Sequence, residues 1–295
     1  MPKLSFFTVD VFTETRFGGN PLAVVMADAA LDEATMQALA AEFNLSETTF
    51  VLPPADPANT ARVRIFNRTA EMAFAGHPMV GTAFVLAGQR PELNEATFEI
   101  PAGLVRIEIA RDERGASLGA TIASPQPLSI GETVAPEVIA RAMGLALEDI
   151  VTTTHLPVVA SNGTAFVIAE VTDDALTRCS PDLEAFRAAL AQRPQLGSRF
   201  SLHVYCKQGR NLRARMFAPL AGTWEDPATG SANVPLACLL LSFEPDTDTA
   251  DFVIRQGVEM GRPSLLQVTA SRAPEGIGAK LSGSCVAVMQ GEINL

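Results

Sequence analysis

Two short stretches carry residue types that could do chemistry: Phe74-Ala75-Gly76-His77-Pro78 and Asp226-Pro227-Ala228-Thr229-Gly230-Ser231. Each runs into a strongly apolar segment, Met79 to Leu86 after the first and Val234 to Leu241 after the second. A glycine-bearing turn that opens a buried helix presents backbone N–H groups and the positive end of the helix dipole, which suits an anion. With an imidazole on one turn and a carboxylate on the other, the pattern predicts an enzyme site for a small carboxylate. Glu47 opens a strand-like run, Glu47-Thr48-Thr49-Phe50-Val51-Leu52. A carboxylate half-buried among such neighbours can take up and return a proton near neutral pH. As a strand-end residue it could equally be a solvated charge, just as His77, Asp226 and Ser231 could simply cap helices.

The elements that would position these residues come twice. Met36, Leu39, Ala40 and Phe43 share one face at helical spacing within 32–43, with Asn44 as the stop. Ala61 to Phe66 alternates as a half-buried strand before the first glycine turn, and Leu212 to Phe217 stands in the matching place before the second. Arg64-Ile65-Phe66 and Arg215-Met216-Phe217 repeat one pattern. Helices are predicted over 136–143 and 181–190, and strands over 200–205, 252–255, 264–268 and 285–289. The two apolar segments after the turns are apolar all round, as helices enclosed by sheet would be. Pro235 fits the second only near its start. Together these features predict an α+β protein of two similar halves, with paired helix starts at one shared cleft. The punctuation from Ser124-Pro125-Gln126-Pro127 to Gly131 marks the junction.

Composition narrows the partners. A net charge of −11 over 295 residues argues against nucleic acid and anionic membranes. No apolar run reaches the ~20 residues that span a bilayer, and Met1 to Phe7 lacks a signal-peptide core, so a cytoplasmic protein is expected. Cys179, Cys206, Cys238 and Cys285 are widely spaced, and His77, His155 and His203 form no ligand-spaced pair. Metal and redox-dithiol sites are therefore not expected. Arg215, Arg255 and Arg262 could clamp a carboxylate, although solvent-facing strand positions are the default for each. Asp10 and Arg64 are weaker candidates.

Five stretches in order resemble the PhzF family, the phenazine-biosynthesis isomerases of the diaminopimelate-epimerase-like fold. They are Phe17-Gly18-Gly19-Asn20-Pro21-Leu22-Ala23-Val24, Asn44-Leu45-Ser46-Glu47-Thr48-Thr49-Phe50-Val51, the two glycine turns, and Gln256-Gly257-Val258-Glu259-Met260-Gly261-Arg262-Pro263-Ser264. The resemblance implies two pseudo-symmetric domains, each a rolled, mostly antiparallel sheet around a central apolar helix. It implies a homodimer, with no metal and no organic cofactor. Carried over by position, Glu47 is the acid/base, and His77 and Asp226 complete the catalytic set. Gly76, Gly230 and Ser231 bind substrate, with Asn20, Ser46 and Gln256 as pocket residues. Related racemases use a cysteine on each turn; Ala75 and Ala228 stand there in this chain, which argues against two-thiol chemistry. Further departures are Asn67-Arg68, where the family commonly has Thr-Pro, and Ala73 in place of a proline.

These readings predict a first domain of residues 1–120 plus about 279–295, and a second of about 121–278. The expected activity is a cofactor-independent proton shift between carbons of a small cyclic or unsaturated amino or hydroxy acid, of the trans-2,3-dihydro-3-hydroxyanthranilate isomerase type. The rivals are an epimerase acting at one carbon and a binding protein without turnover.

Overall fold

The structure, a computed structural model, describes residues 3–27, 31–196 and 200–295. The chain divides into two compact units, Met1–Ala123 with Leu281–Leu295, and Ser124–Lys280.

The first unit contains β1 (Lys3–Val11), β2 (Asn20–Met26), α1 (Glu33–Phe43), β3 (Glu47–Leu52), β4 (Ala61–Phe66), β5 (Glu71–Met72), α2 (Gly76–Gln89), β6 (Glu95–Ile100), β7 (Gly103–Arg111) and β8 (Ser117–Ala123). Asp32 starts α1 by accepting from the Thr35 amide at 2.8 Å, and Asn44 stops it in the left-handed region at φ 53°. Only Leu45 and Ser46 then separate the helix from β3, so the α1 stop sets where Glu47 begins its strand. Strands β2 and β3 run parallel, β3 pairs antiparallel with β4, and β4 runs parallel to β6. Antiparallel β6–β7 and β7–β8 ladders follow. The last strand of the chain pairs with both β1 and β8, so the sheet of this unit closes on itself. At that seam a Cβ on Gly119 would lie 2.0 Å from the Gly283 carbonyl oxygen, which only glycine avoids. The helix α2 packs on β1, β2, β3, β7 and β8, and residues from Gly76 to Ala87 are buried apart from Phe84. An all-apolar helix needs that enclosure.

The second unit contains β9 (Ser129–Thr133), α3 (Pro136–Met143), β10 (Ile150–Val151), β11 (Val158–Ser161), β12 (Ala165–Val171), α4 (Asp173–Arg178), α5 (Leu183–Gln192), β13 (Leu202–Gln208), β14 (Asn211–Ala218), β15 (Thr223–Asp226), α6 (Gly230–Ser242), β16 (Thr249–Gln256) and β17 (Ser264–Ala273). The final strand β18 (Gly276–Asn294) starts in this unit and ends in the first. The pairing repeats that of the first unit: β12 parallel to β13, β13 antiparallel to β14, β14 parallel to β16, and β16 antiparallel to β17. Helix α6 packs on β11, β12, β16 and β17. Helices α3, α4 and α5 bury Ile139, Leu176 and Phe186 in a core of their own with Phe200 and Phe217.

Three details differ from the sequence reading. The helix expected at 181–190 spans Leu183–Gln192, because Asp182 provides the cap by accepting from the Ala185 amide. Short strands β5 and β15 stand between β4 or β14 and the glycine turns; at two and four residues they carry no readable periodicity. Pro235 sits in the second turn of α6, past the first four open amides, so it supplies no N–H to the Ser231 carbonyl.

Candidate active site

In the first unit Asn20, Glu47 and His77 come together. Asn20 opens β2, Glu47 opens β3, and His77 is the second residue of α2. The turn before Asn20 is shaped by Phe17 at φ 70° and Gly19 at φ 62°. Asp10, buried in β1, accepts from the Phe17 amide at 2.6 Å and holds that turn down. The Asn20 Nδ2 lies 3.4 Å from His77 Nδ1. An amide nitrogen only donates, so His77 Nδ1 accepts and the ring proton is on Nε2. That Nε2 stands 3.3 Å from Glu47 Oε2, not aligned as a formed hydrogen bond. The contact is not an ion pair, because burial drives the His77 pKa down to about 3 and keeps the imidazole neutral. The result is a carboxylate with 16% of its side chain exposed, beside a neutral N–H donor. No side chain caps α2 at Ala75, so the Gly76 and His77 amides point out of the helix unsatisfied by a cap. Ser46 is half-buried next to Glu47.

In the second unit Asp226, Thr229, Gly230 and Gln256 come together. Asp226 ends β15, Gln256 ends β16, and Thr229 precedes α6, which again lacks a side-chain cap. Thr229 Oγ1 donates to Asp226 Oδ2 at 2.5 Å, and Gln256 Nε2 donates to the Asp226 carbonyl oxygen at 2.8 Å. Gly257, at φ 72°, lets the chain turn against Pro227: a Cβ there would meet the Pro227 carbonyl oxygen at 2.6 Å. Ser231 is half-buried in the first turn of α6. Sequence reasoning missed Thr229, Asn233 and His203, which are all buried here. Asn233 was the available signal, a lone amide side chain in an otherwise apolar stretch after Ser231.

The repeat extends to the devices that aim the turns. Arg64 in β4 grips Glu71 in β5 through Nε–Oε1 at 2.7 Å and Nη2–Oε2 at 2.6 Å. Arg215 in β14 grips Glu225 in β15 at 2.8 and 2.9 Å. Each guanidinium also lies over the next aromatic of its strand, Phe66 at 5.1 Å and Phe217 at 4.9 Å. Arg215 is therefore not a carboxylate clamp, and it does not face solvent. It is buried, and its Nη1 donates to the carbonyls of Leu176 and Cys179, both at 2.9 Å. Arg64 is occupied as well: the Nη2 that binds Glu71 also donates to Glu33 at 2.9 Å, and Nη1 lies 3.8 Å from the Met36 sulfur.

Register identifies the one asymmetry that matters chemically. Thr48 faces Phe66, and Leu202 faces Phe217. Glu47, the residue before Thr48, thus corresponds to Ser201, the residue before Leu202. At this position the acid is present in one half only; the carboxylate of the second half, Asp226, stands at the end of β15 instead. Ala75 and Ala228, each just before the start of α2 or α6, are both buried. The four cysteines lie elsewhere, and burial raises Cys179, Cys206 and Cys238 to about 12, and Cys285 further still. Among the described residues no three His, Cys, Asp or Glu side chains gather as a metal site would need. No helix among them is long and apolar enough to cross a membrane.

Three buried imidazoles make acid stability a readable property, and burial lowers the His155 pKa as it does those of His77 and His203. Burial lowers His203 to about 4, opposed in part by its Asn233 hydrogen bond, and His77 to about 3. An unfolded histidine titrates at about 6.5, so below that pH the unfolded chain binds protons the fold refuses. Stability is therefore full above pH 6.5 and falls as pH drops toward about 4. Denaturant titrations across that range should show the decline, with a shallower slope in His203→Gln. An equal slope in both proteins would exclude His203 as a source.

Residues 9–291 match the family model described as phenazine biosynthesis-like protein, PhzC-PhzF. The chain belongs to the PhzC-PhzF family. It is 37% identical over 303 residues to an uncharacterized isomerase of Mesorhizobium japonicum, covering 99% of each chain. It is 34% identical over 293 residues to a trans-2,3-dihydro-3-hydroxyanthranilate isomerase of Pseudomonas aeruginosa, covering 98% of this chain and 99% of that one. A PhzF-family phenazine biosynthesis protein of Bacillus anthracis superposes with a TM-score of 0.87 at 26% identity, covering 100% of both chains. A hydroxyproline epimerase of Agrobacterium vitis shares the fold at a TM-score of 0.68 and 12% identity, covering 99% of this chain and 93% of that one. The α+β fold expected from the motifs is thus that of PhzF and proline-racemase-like proteins, and the PhzC-PhzF chain is an isomerase.

Proposed function

We propose that this PhzC-PhzF protein is a single-base isomerase that shifts a proton between two carbons of a small cyclic or unsaturated amino or hydroxy carboxylic acid. The observation that carries the reading is the asymmetry of the repeat: Glu47 beside neutral His77 in one half, Ser201 in the other. A two-base racemase needs a proton acceptor on each face of one carbon, whereas a 1,3-type shift needs one acid/base that serves two carbons. In the proposed cycle the Glu47 carboxylate takes a proton from carbon adjacent to an unsaturated system. The C–H electron pair spreads over that system. Protonated Glu47 then delivers the same proton to a different carbon, so no redox partner enters. His77 Nε2–H, pinned by Asn20, steadies the carboxylate or the developing negative charge. The open amides at Gly76 and at Gly230 each suit a carboxylate, and Asp226 and Ser231 suit an amino or hydroxyl group of a small substrate. Ser46, half-buried beside Glu47, is a pocket residue of this reading, and Gln256 supports Asp226 from behind.

The substrate type of the Pseudomonas isomerase, trans-2,3-dihydro-3-hydroxyanthranilate, is the first compound to test, and the family description supports a place in phenazine-type biosynthesis. Action in the cytoplasm as a homodimer belongs to the same proposal and rests on the family resemblance. Turnover in deuterated water separates the readings. Movement of the double bond, with hydrogen or deuterium arriving at a new carbon, supports the isomerase. Exchange confined to one carbon with inversion makes the protein an epimerase, and no exchange with tight binding makes it a binder.

A further inference from the structure

The geometry points to a directional hydrogen-bond relay, His203–Asn233–Gln256–Thr229, that orients Asp226 and makes His203 a positioning residue for the isomerase site. This inference rests on the reading of Asp226 as a substrate-contacting group. The four relay side chains come from β13, α6, the end of β16 and the turn before α6. Exposure is 0% for His203 and Asn233, 1% for Gln256, 7% for Thr229 and 9% for Asp226.

Every step has one allowed direction. His203 Nε2 lies 3.0 Å from Asn233 Oδ1, an atom that only accepts, so the imidazole donates and its neutral tautomer is set. With its oxygen occupied, Asn233 donates through Nδ2 to Gln256 Oε1 at 2.8 Å and to the Thr229 carbonyl at 3.1 Å. Gln256 Oε1 also accepts the Thr229 amide at 3.1 Å. Its Nε2 therefore faces the other way, donating to Thr229 Oγ1 at 3.0 Å and to the Asp226 carbonyl at 2.8 Å. Thr229 Oγ1, having accepted, places its single hydrogen on Asp226 Oδ2 at 2.5 Å. Neither amide can flip without setting donor against donor or acceptor against acceptor, at full desolvation cost. Backbone groups of Thr229 and Asp226 set this polarity, and His203 supplies the donor that satisfies its buried far end; at the near end the Thr229 hydroxyl favours the ionised Asp226 carboxylate and fixes its rotation.

A purely structural demand would be met by apolar residues in these positions, which lie among the α6 and β13 core. The other charged groups of the elements involved do not compete for this role. Lys207 of β13 pairs with Glu170, Asp251 of β16 accepts from Thr269, Glu225 is held by Arg215, Arg255 is exposed, and α6 contributes no charged residue.

The experiment uses full-length protein and four variants. Asn233→Asp keeps the shape and still accepts from His203 but cannot donate to Gln256; Thr229→Val removes the last donor. His203→Leu removes the first donor, and His203→Gln restores one. With trans-2,3-dihydro-3-hydroxyanthranilate as probe, Asn233→Asp, Thr229→Val and His203→Leu should lose about ten- to a hundred-fold in kcat/KM, with the acid limb of the pH profile moved upward. His203→Gln should retain most activity. Carbon-13 NMR titration of Asp226, assigned through Asp226→Asn, gives a second readout that needs no turnover. Its midpoint should rise by about one unit in Thr229→Val and Asn233→Asp. An unchanged Asp226 titration in both variants overturns the relay. A shifted titration in a protein that does not turn over the probe supports the relay and removes the substrate assignment instead.

Discussion

Glu47→Gln is expected to lower turnover by about 10²–10⁴-fold, the usual contribution of a positioned acid/base. The amide keeps the size and hydrogen-bonding shape of the side chain but cannot take up and return the proton. Ligand affinity should change little, because the open amides at the start of α2 are untouched. His77→Asn should behave differently. His77 is buried and neutral, and Asn20 directs its Nε2–H toward Glu47. Its loss therefore removes a positioning group, weakening binding and turnover together by a smaller factor. Single-turnover and steady-state kinetics on the dihydrohydroxyanthranilate probe separate the two effects. Near-native turnover in Glu47→Gln with abolition in His77→Asn would reverse the roles and make the imidazole the base.

The second large effect is on stability. Glu225→Gln leaves the Arg215 guanidinium buried with carbonyl partners but without its hydrogen-bonded counter-charge, where side-chain exposure is only 8% and 10% for the pair. Burial opposes the Arg215 charge, and the Glu225 hydrogen bonds and attraction are what hold it in the charged form. Breaking one partner of such a pair costs about 3–5 kcal/mol, whereas replacing both with apolar residues of similar volume is often neutral. Denaturant unfolding of Glu225→Gln and Glu225→Leu, and of Glu225→Leu combined with Arg215→Met, forms the test. The single changes should show the full loss and the double change should recover much of it. The equivalent change at Glu71 should cost less, because Arg64 and Glu71 are 16% and 24% exposed and Glu33 remains as a second partner. Equal losses in the two halves would mean that solvent screening does not distinguish them. Glu225 also ties β15 to β14, so its loss should loosen the turn that carries Asp226.

Much of the fold was legible in short-range signals. Asp32 and Asn44 bounded α1, the runs at Glu47 and Ala61 formed the strands they resembled, and the two all-apolar segments became enclosed helices. Such features depend on caps, β-branched runs and spacing, which act within a few residues of each other. The repeat of Arg-x-Phe before each glycine turn was also visible, although its purpose was not. Local pattern placed Arg215 at solvent, and only the approach of Glu225 and the end of α4 showed it to be a buried clamp. The closure of the first sheet belongs to the same class, since it joins Thr121 to Ser282 through hydroxyls 2.7 Å apart. For the site, residue type and motif order were enough to nominate Glu47, His77, Asp226 and Gln256. That Asn20 sets the His77 tautomer, and that His203 and Asn233 stand behind Asp226, was decided by the tertiary structure alone. A hydrogen bond between distant residues leaves no periodicity in the chain. Its partners are selected by which strand lies beside which helix, and that is settled when the sheet wraps its apolar core.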